Sequence, residues 1–133
     1  MGKVSGHCFC GSIQFEVEGP EKFACFCYCG SCQRAAGAPV VPWATYEKES
    51  FSVLKGEVHW HNSSPGVTRG QCSNCGTSIS YETEARPGDI DITLNSHDDP
   101  SGPTLQAHIF TEDKHPWMTI GDNLPRYEKN VGD

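Results

Sequence analysis

Eight cysteines in three tight groups constrain this chain more than any other feature. Cys8 and Cys10 stand near the start, Cys25-Phe26-Cys27-Tyr28-Cys29-Gly30-Ser31-Cys32 packs four thiols into one short stretch, and Cys72 and Cys75 lie past the middle. A hydrophobic core needs no such density of sulfur. Zinc does: it takes four donors in a tetrahedron, and each C-x-C or C-x-x-C loop supplies two of them with little further ordering of the chain.

An even cysteine count also suits four disulfides in a secreted scaffold. Two features oppose that reading. Residues 1–7, MGKVSGH, carry no apolar stretch of signal-peptide length, and cysteines two apart bridge each other poorly within relaxed disulfide geometry. The expected compartment is a reducing cytoplasm. No window reaches the roughly 18–20 apolar residues of a membrane-spanning helix, and Gly6 stands where a myristoylation signal needs Ser or Thr. With 10 Lys plus Arg against 17 Asp plus Glu the net charge is -7, and the basic residues are scattered singly. Such a surface repels phosphate backbones, so nucleic acid is not an expected partner.

At 133 residues the chain reads as a single domain spanning 1–133. Its 36% hydrophobic content is low, and 14 Gly with 9 Pro suit short strands and turns. Ile13, Phe15 and Val17 alternate with Gln14, Glu16 and Glu18 in a half-buried strand pattern, and Phe23 to Cys29 alternates again. Gly30 to Gly37 reads as a turn into one or two helical turns. Further strands are expected at Val40 to Thr45, Phe51 to Leu54 and Val58 to His61, spaced as a meander, then at Ser78 to Glu82, Ile90 to Leu94 and Leu105 to Phe110. Arg69 to Thr77 reads as a metal knuckle, with Gly76 free to take a positive φ.

The cysteines sort by spacing. Cys8-x-Cys10 and Cys72-x-x-Cys75 are half-sites roughly sixty residues apart, and a metal clip that closes a long loop removes much freedom from the unfolded chain. We assign these four to one structural zinc. Cys27-x-Cys29-x-x-Cys32 then offers three sulfurs, the number that leaves a catalytic zinc one exchangeable position. The alternatives are a second closed site, with Cys25 on the same strand face as fourth ligand, or a site that is oxidised or holds no metal.

His7-Cys8-Phe9-Cys10-Gly11, Cys27-x-Cys29-x-x-Cys32-Gln33-Arg34, Arg69-x-x-Cys72-x-x-Cys75-Gly76-Thr77, Asp98-Asp99-Pro100, His108-Ile109-Phe110, Trp117 and Asp122-Asn123-Leu124-Pro125 follow one another in an order that resembles the glutathione-dependent formaldehyde-activating enzyme family, including its centromere protein V-type members. The resemblance covers about residues 5–128. It implies a mainly β fold, a β-tent of short antiparallel sheets stapled by zinc and similar to methionine sulfoxide reductase B. It also implies two zinc ions, one structural at Cys8, Cys10, Cys72 and Cys75, one catalytic at Cys27, Cys29 and Cys32. The implied activity is that of a carbon-sulfur lyase, adding a thiol such as glutathione to formaldehyde or a related small aldehyde. The competing class is a zinc-stabilised binding or assembly module without catalysis.

Tyr28, His97 and His108 are candidate proton donors, each with a structural reading beside it: a strand aromatic, a turn polar group and a packed residue. Trp43, Trp60 and Trp117 are read as cleft or core, and Arg34 and Arg69 as partners of substrate carboxylates or of salt bridges within the fold.

Overall fold

The computed structural model describes residues 2–132. Along the chain run β1 (Gly2–His7), β2 (Gln14–Gly19), β3 (Phe23–Cys27), α1 (Gly30–Ala36), β4 (Val41–Glu47), β5 (Ser52–Lys55), β6 (Val58–Ser64), β7 (Val67–Cys72), β8 (Ser78–Thr83), β9 (Asp89–Thr93) and β10 (Ala107–Ile109). A three-stranded sheet has the order β1-β2-β5, and a seven-stranded sheet the order β10-β3-β4-β9-β8-β7-β6. All pairings are antiparallel except that of β10 with β3, which is parallel. The fold is thus mainly β, as expected, and α1 closes at Gly37 where the sequence placed its end.

Two neighbouring cross-strand rows explain how the large sheet divides its faces. Ala24, Ala44, Ile92, Ser80, Gly70 and Trp60 stand opposite one another from β3 to β6. The first four are fully buried, and Ala24, Ala44 and Ile92 form one core with Ile13, Phe15 and Val17 of the small sheet. Small residues fit there because the other sheet fills the space. The next row holds Phe23, Thr45, Asp91, Tyr81, Arg69 and His61. Since side chains alternate between faces along a strand, this polar row points away from the core, and it carries the site.

Three expectations are corrected, and one strand left no signal in the sequence. The meander over residues 40–61 is broken: β5 crosses to the small sheet, where Val53 pairs with Phe15, while β6 lies at the far edge of the large one. β3 stops at Cys27, so Cys29 is not a strand residue. β1 was not legible, because Lys3, Val4 and Ser5 lack apolar alternation. β7 (Val67–Cys72) takes Arg69 to Cys72, the first part of the stretch read as a knuckle, into the large sheet.

Candidate functional site

Cys8, Cys10, Cys72 and Cys75 bring their Sγ atoms within 4.8 Å of one another. Cys8 and Cys10 are 3.6 Å apart, and Cys10 and Cys72 are 3.8 Å apart. A disulfide needs about 2.05 Å. The edge of a tetrahedron with zinc–sulfur bonds of about 2.3 Å is about 3.8 Å, so the four sulfurs fit a zinc ion. Two tight loops make the arrangement. Gly11 and Gly76 sit at φ +78° and +79°, which turns the backbone so that amides face sulfur: Ile13 N–H donates to Cys8 Sγ, and Asn74 and Cys75 N–H donate to Cys72 Sγ, all at 3.3 Å. The Ser12 hydroxyl, followed by the Asn74 side chain, pulls the Cys10 thiol down to about 5. Ser12, followed by the Cys75 amide, brings Cys72 to about 7. At Cys10 and Cys72 the loops thus stabilise thiolate, the form that binds metal, whereas burial pushes the Cys8 thiol up.

Cys27, Cys29 and Cys32 make a second group within 4.8 Å, with Cys27 and Cys32 3.7 Å apart. The chain leaves β3 at Cys27, caps α1 with Cys29, whose Sγ accepts the Cys32 amide at 3.3 Å, and buries Cys32 in the first helical turn. The hydrogen bond from Cys27, then that from Cys32, holds Cys29 far below the ordinary thiol range, and the same pairing pushes Cys27 up. The donor set and spacing fit zinc with three protein ligands.

Cys25 does not complete this group. Strand alternation does place it on the face of Cys27, but two residues along a strand is about 6.6 Å. It sits across from Trp43 rather than beside Cys32, and burial pushes its thiol up to about 12.

The three cysteines line a pocket of about 340 Å³ on the open face of the large sheet. Trp43, 5% exposed, lines it. Two guanidiniums enter it and differ in kind. Arg86 is spoken for: it donates to both oxygens of Asp91, at 2.6 and 3.3 Å, and to Asp89 at 3.2 Å. Arg69, 6% exposed, has no carboxylate partner among the described residues; it lies 3.7 Å from Cys32 Sγ and 4.9 Å above the Tyr81 ring. Tyr81 lines the same pocket, and its hydroxyl has no hydrogen-bond partner among the described residues. Burial raises its pKa. A cavity of about 410 Å³ beside β1 has no sulfur in its lining.

The three candidate proton donors are elsewhere. Tyr28 is buried and bonds to His108 Nδ1 at 2.8 Å, and His97 bonds to Tyr46 at 2.8 Å. None of them lines the three-cysteine pocket. Arg34 is exposed on α1. Of the tryptophans only Trp43 is buried, with Trp60 43% and Trp117 69% exposed. Sequence reading missed Tyr81 because Ile79 is the extra residue of a bulge, with Ser80 opposite Gly70 and Ser78 opposite Gln71. The bulge resets the alternation and sends Tyr81 to the face opposite the one that spacing from Ile79 predicts.

Fold and site together define a mainly β protein with two cysteine centres, one of four sulfurs and one of three, both suited to zinc. The chain belongs to the glutathione-dependent formaldehyde-activating enzyme family, whose model matches residues 3–113. A crystal structure of a Rhodobacter sphaeroides protein is similar in fold, with a TM-score of 0.61 at 21% identity over 71% of this chain and 87% of that one. No curated protein sequence matches the chain. No helix among the described residues is long and apolar enough to cross a membrane.

Proposed function

We propose that this protein adds a small thiol, with glutathione as the first candidate, to formaldehyde in the pocket that holds Cys27, Cys29 and Cys32. The observation that carries the reading is the contrast between the two sulfur groups: one is complete with four cysteines, and the other has three and faces a pocket. Zinc held by the three would act as a Lewis acid, lowering the pKa of a thiol that reaches its fourth position.

The chain's residues supply the remainder. Sulfur attacks the carbonyl carbon, the carbon–sulfur bond forms, and the carbonyl π pair moves to oxygen, which takes up a proton. Tyr81 is the group placed to give that proton, and solvent restores it. Arg69 offers a cation in a dry setting, where it offsets the negative charge of three sulfurs. Trp43 and Tyr81, with ring centres 6.0 Å apart, keep bulk water from part of the reacting volume.

Exchange spectroscopy on glutathione and labelled formaldehyde, with and without protein, tests the proposal, since the uncatalysed reaction sets the baseline. The zinc-loaded protein is expected to speed exchange between free and adduct forms, and Cys29→Ser to return it to the baseline. Protein that carries two zinc ions and leaves exchange unaltered would remove the reading.

A further inference from the structure

The residue between the first two cysteines of the trio is tied to a part of the chain beyond the family match. Tyr28 Oη lies 2.8 Å from His108 Nδ1, and His108 Nε2 lies 3.0 and 3.1 Å from the two oxygens of Asp122. The tautomer follows from the partners: the carboxylate accepts only, so Nε2 carries the ring proton, and Nδ1 accepts from the Tyr28 hydroxyl. Phe26 stacks on the imidazole at 4.8 Å and 11°. Tyr28 and His108 are each 3% exposed.

This chain of bonds stands behind the cysteines, on the face of β3 opposite the pocket. It is one of several ties to the same loop. Tyr28 N–H donates to Ile109 O at 3.1 Å, Gln33 Nε2 donates to Tyr28 O at 2.6 Å, and Gly30 N–H donates to Asp113 Oδ2 at 3.0 Å. The segment that brings Asp122 is itself laced to β10: His108 N–H donates to Pro125 O and Tyr127 N–H to His108 O, both at 2.9 Å. Cys27 and Cys29 flank Tyr28 directly, so the direction of its side chain sets where both sulfurs point.

We propose that Asp122, acting through His108 on Tyr28, is a positioning residue for the three-cysteine centre, so that the segment after residue 113 is a working part of that site. The proposal rests on the reading that Cys27, Cys29 and Cys32 bind metal; it does not depend on thiol addition to formaldehyde. Outer partners that orient a metal site are worth about 10–100-fold in affinity, and here the effect passes through one intervening side chain, so about tenfold is expected.

Cobalt(II) titration of the full chain provides the test, because the charge-transfer and ligand-field bands of four-thiolate and three-thiolate sites differ and report each centre separately. Asp122→Asn and Tyr28→Phe are each expected to weaken binding at the three-thiolate centre about tenfold and to shift its ligand-field bands, with the four-thiolate centre unchanged. The double variant is expected to be no weaker than either single one, as for residues acting in one unit, and Asp122→Glu to recover part of the loss. Equal loss at both centres would show a general effect on folding and overturn the proposal, as would an unchanged second centre in both single variants. Wild-type protein that takes up only one cobalt ion would overturn the metal reading and this proposal with it. Two cobalt ions bound without thiol-dependent turnover would count against the proposed reaction alone.

Discussion

The Arg69 guanidinium lies 3.7 Å from Cys32 Sγ while its plane covers Tyr81 at 4.9 Å from the ring centre. A cation that is 6% exposed needs a compensating charge, and sulfur is its only polar side-chain partner among the described residues. Charge and site are therefore mutually dependent. Arg69→Met is expected to weaken zinc binding at the second centre by about tenfold or more, from the 1.5–3 kcal/mol of a charge-assisted hydrogen bond. Arg69→Lys is expected to fall between, because an ammonium keeps the charge but not the planar contact with Tyr81. Competition with a chromophoric chelator measures both.

Tyr81→Phe separates proton delivery from binding. The ring contacts to Arg69 and Trp43 remain, and only the hydroxyl is lost. Zinc content and KM for the thiol are expected to hold while kcat falls on the order of 100-fold, the lower range for a positioned general acid. A rise in KM with kcat little changed would assign the hydroxyl to substrate binding.

How much of this was legible in the sequence depended on which physical signal each residue leaves. Ligand spacing is local chemistry, so Cys8, Cys10, Cys72, Cys75 and the trio of Cys27, Cys29 and Cys32 could be grouped before any fold was known, and the structure does bring each group together. Alternation marked β2 and β3, and strands were also expected where β4, β8 and β9 lie. It was silent on β1, which takes its place by pairing Gly2 to His7 with β2, and on the bulge that turns Tyr81 toward the pocket. Arg86 and Asp91 left no trace either, since nothing in their neighbourhood in sequence shows that β9 runs beside β4 and β8. The Asp122–His108–Tyr28 contact joins residues 14 and 80 apart, beyond any periodicity.

The four-cysteine centre is expected to hold the fold, in contrast to the second. It joins Cys10 to Cys72 across a separation of 62 residues, and it connects the loop before β2 to the loop between β7 and β8. Cys72→Ser is expected to lower Tm by on the order of 10 °C or more, since the loss of a clip on a loop of this length costs several kcal/mol. Cys29→Ser, at a partly exposed helix cap, is expected to stay within a few degrees of wild type. Calorimetry with zinc present distinguishes them, and equal losses would contradict the division of roles.

His97 gives a pH dependence with a definite sign. Burial depresses its pKa, opposed by its bond to the Thr93 carbonyl; the ring is held neutral, with Nδ1–H donating to Thr93 O at 2.9 Å and Nε2 accepting from Tyr46 at 2.8 Å. In the unfolded chain it titrates near 6.5. As pH falls, the unfolded state takes up the proton first, so its contribution to stability is full above about pH 6.5 and declines from there toward the lower native value. Between about pH 7.5 and 5.5 the urea midpoint of wild type is expected to fall more steeply than that of His97→Gln. Zinc held saturating in both keeps metal loss common to the two curves. Parallel curves would place the titration on another group.

Gly6 is required by what surrounds it. It pairs with Phe15 across β1 and β2 and bridges to His97, and a Cβ built there would lie 2.2 Å from Phe15 Cζ and 2.3 Å from the Ser96 carbonyl oxygen. The Phe15 ring is fully buried and packs on Phe51 at 5.6 Å, so it has no free direction in which to move, and the carbonyl is backbone. Gly6→Ala is expected to destabilise the protein by about 3 kcal/mol or more, the upper range for overpacking, through separation of β1 from the small sheet. Gly88→Ala supplies the opposite sign: nothing lies within 4 Å of its Cβ position and its φ is outside the left-handed region, so the loss of unfolded-state freedom is expected to add about 0.4–1 kcal/mol. Denaturant midpoints for the pair read both effects, and a Gly6→Ala protein as stable as wild type would mean that β1 does not pack on Phe15 as described.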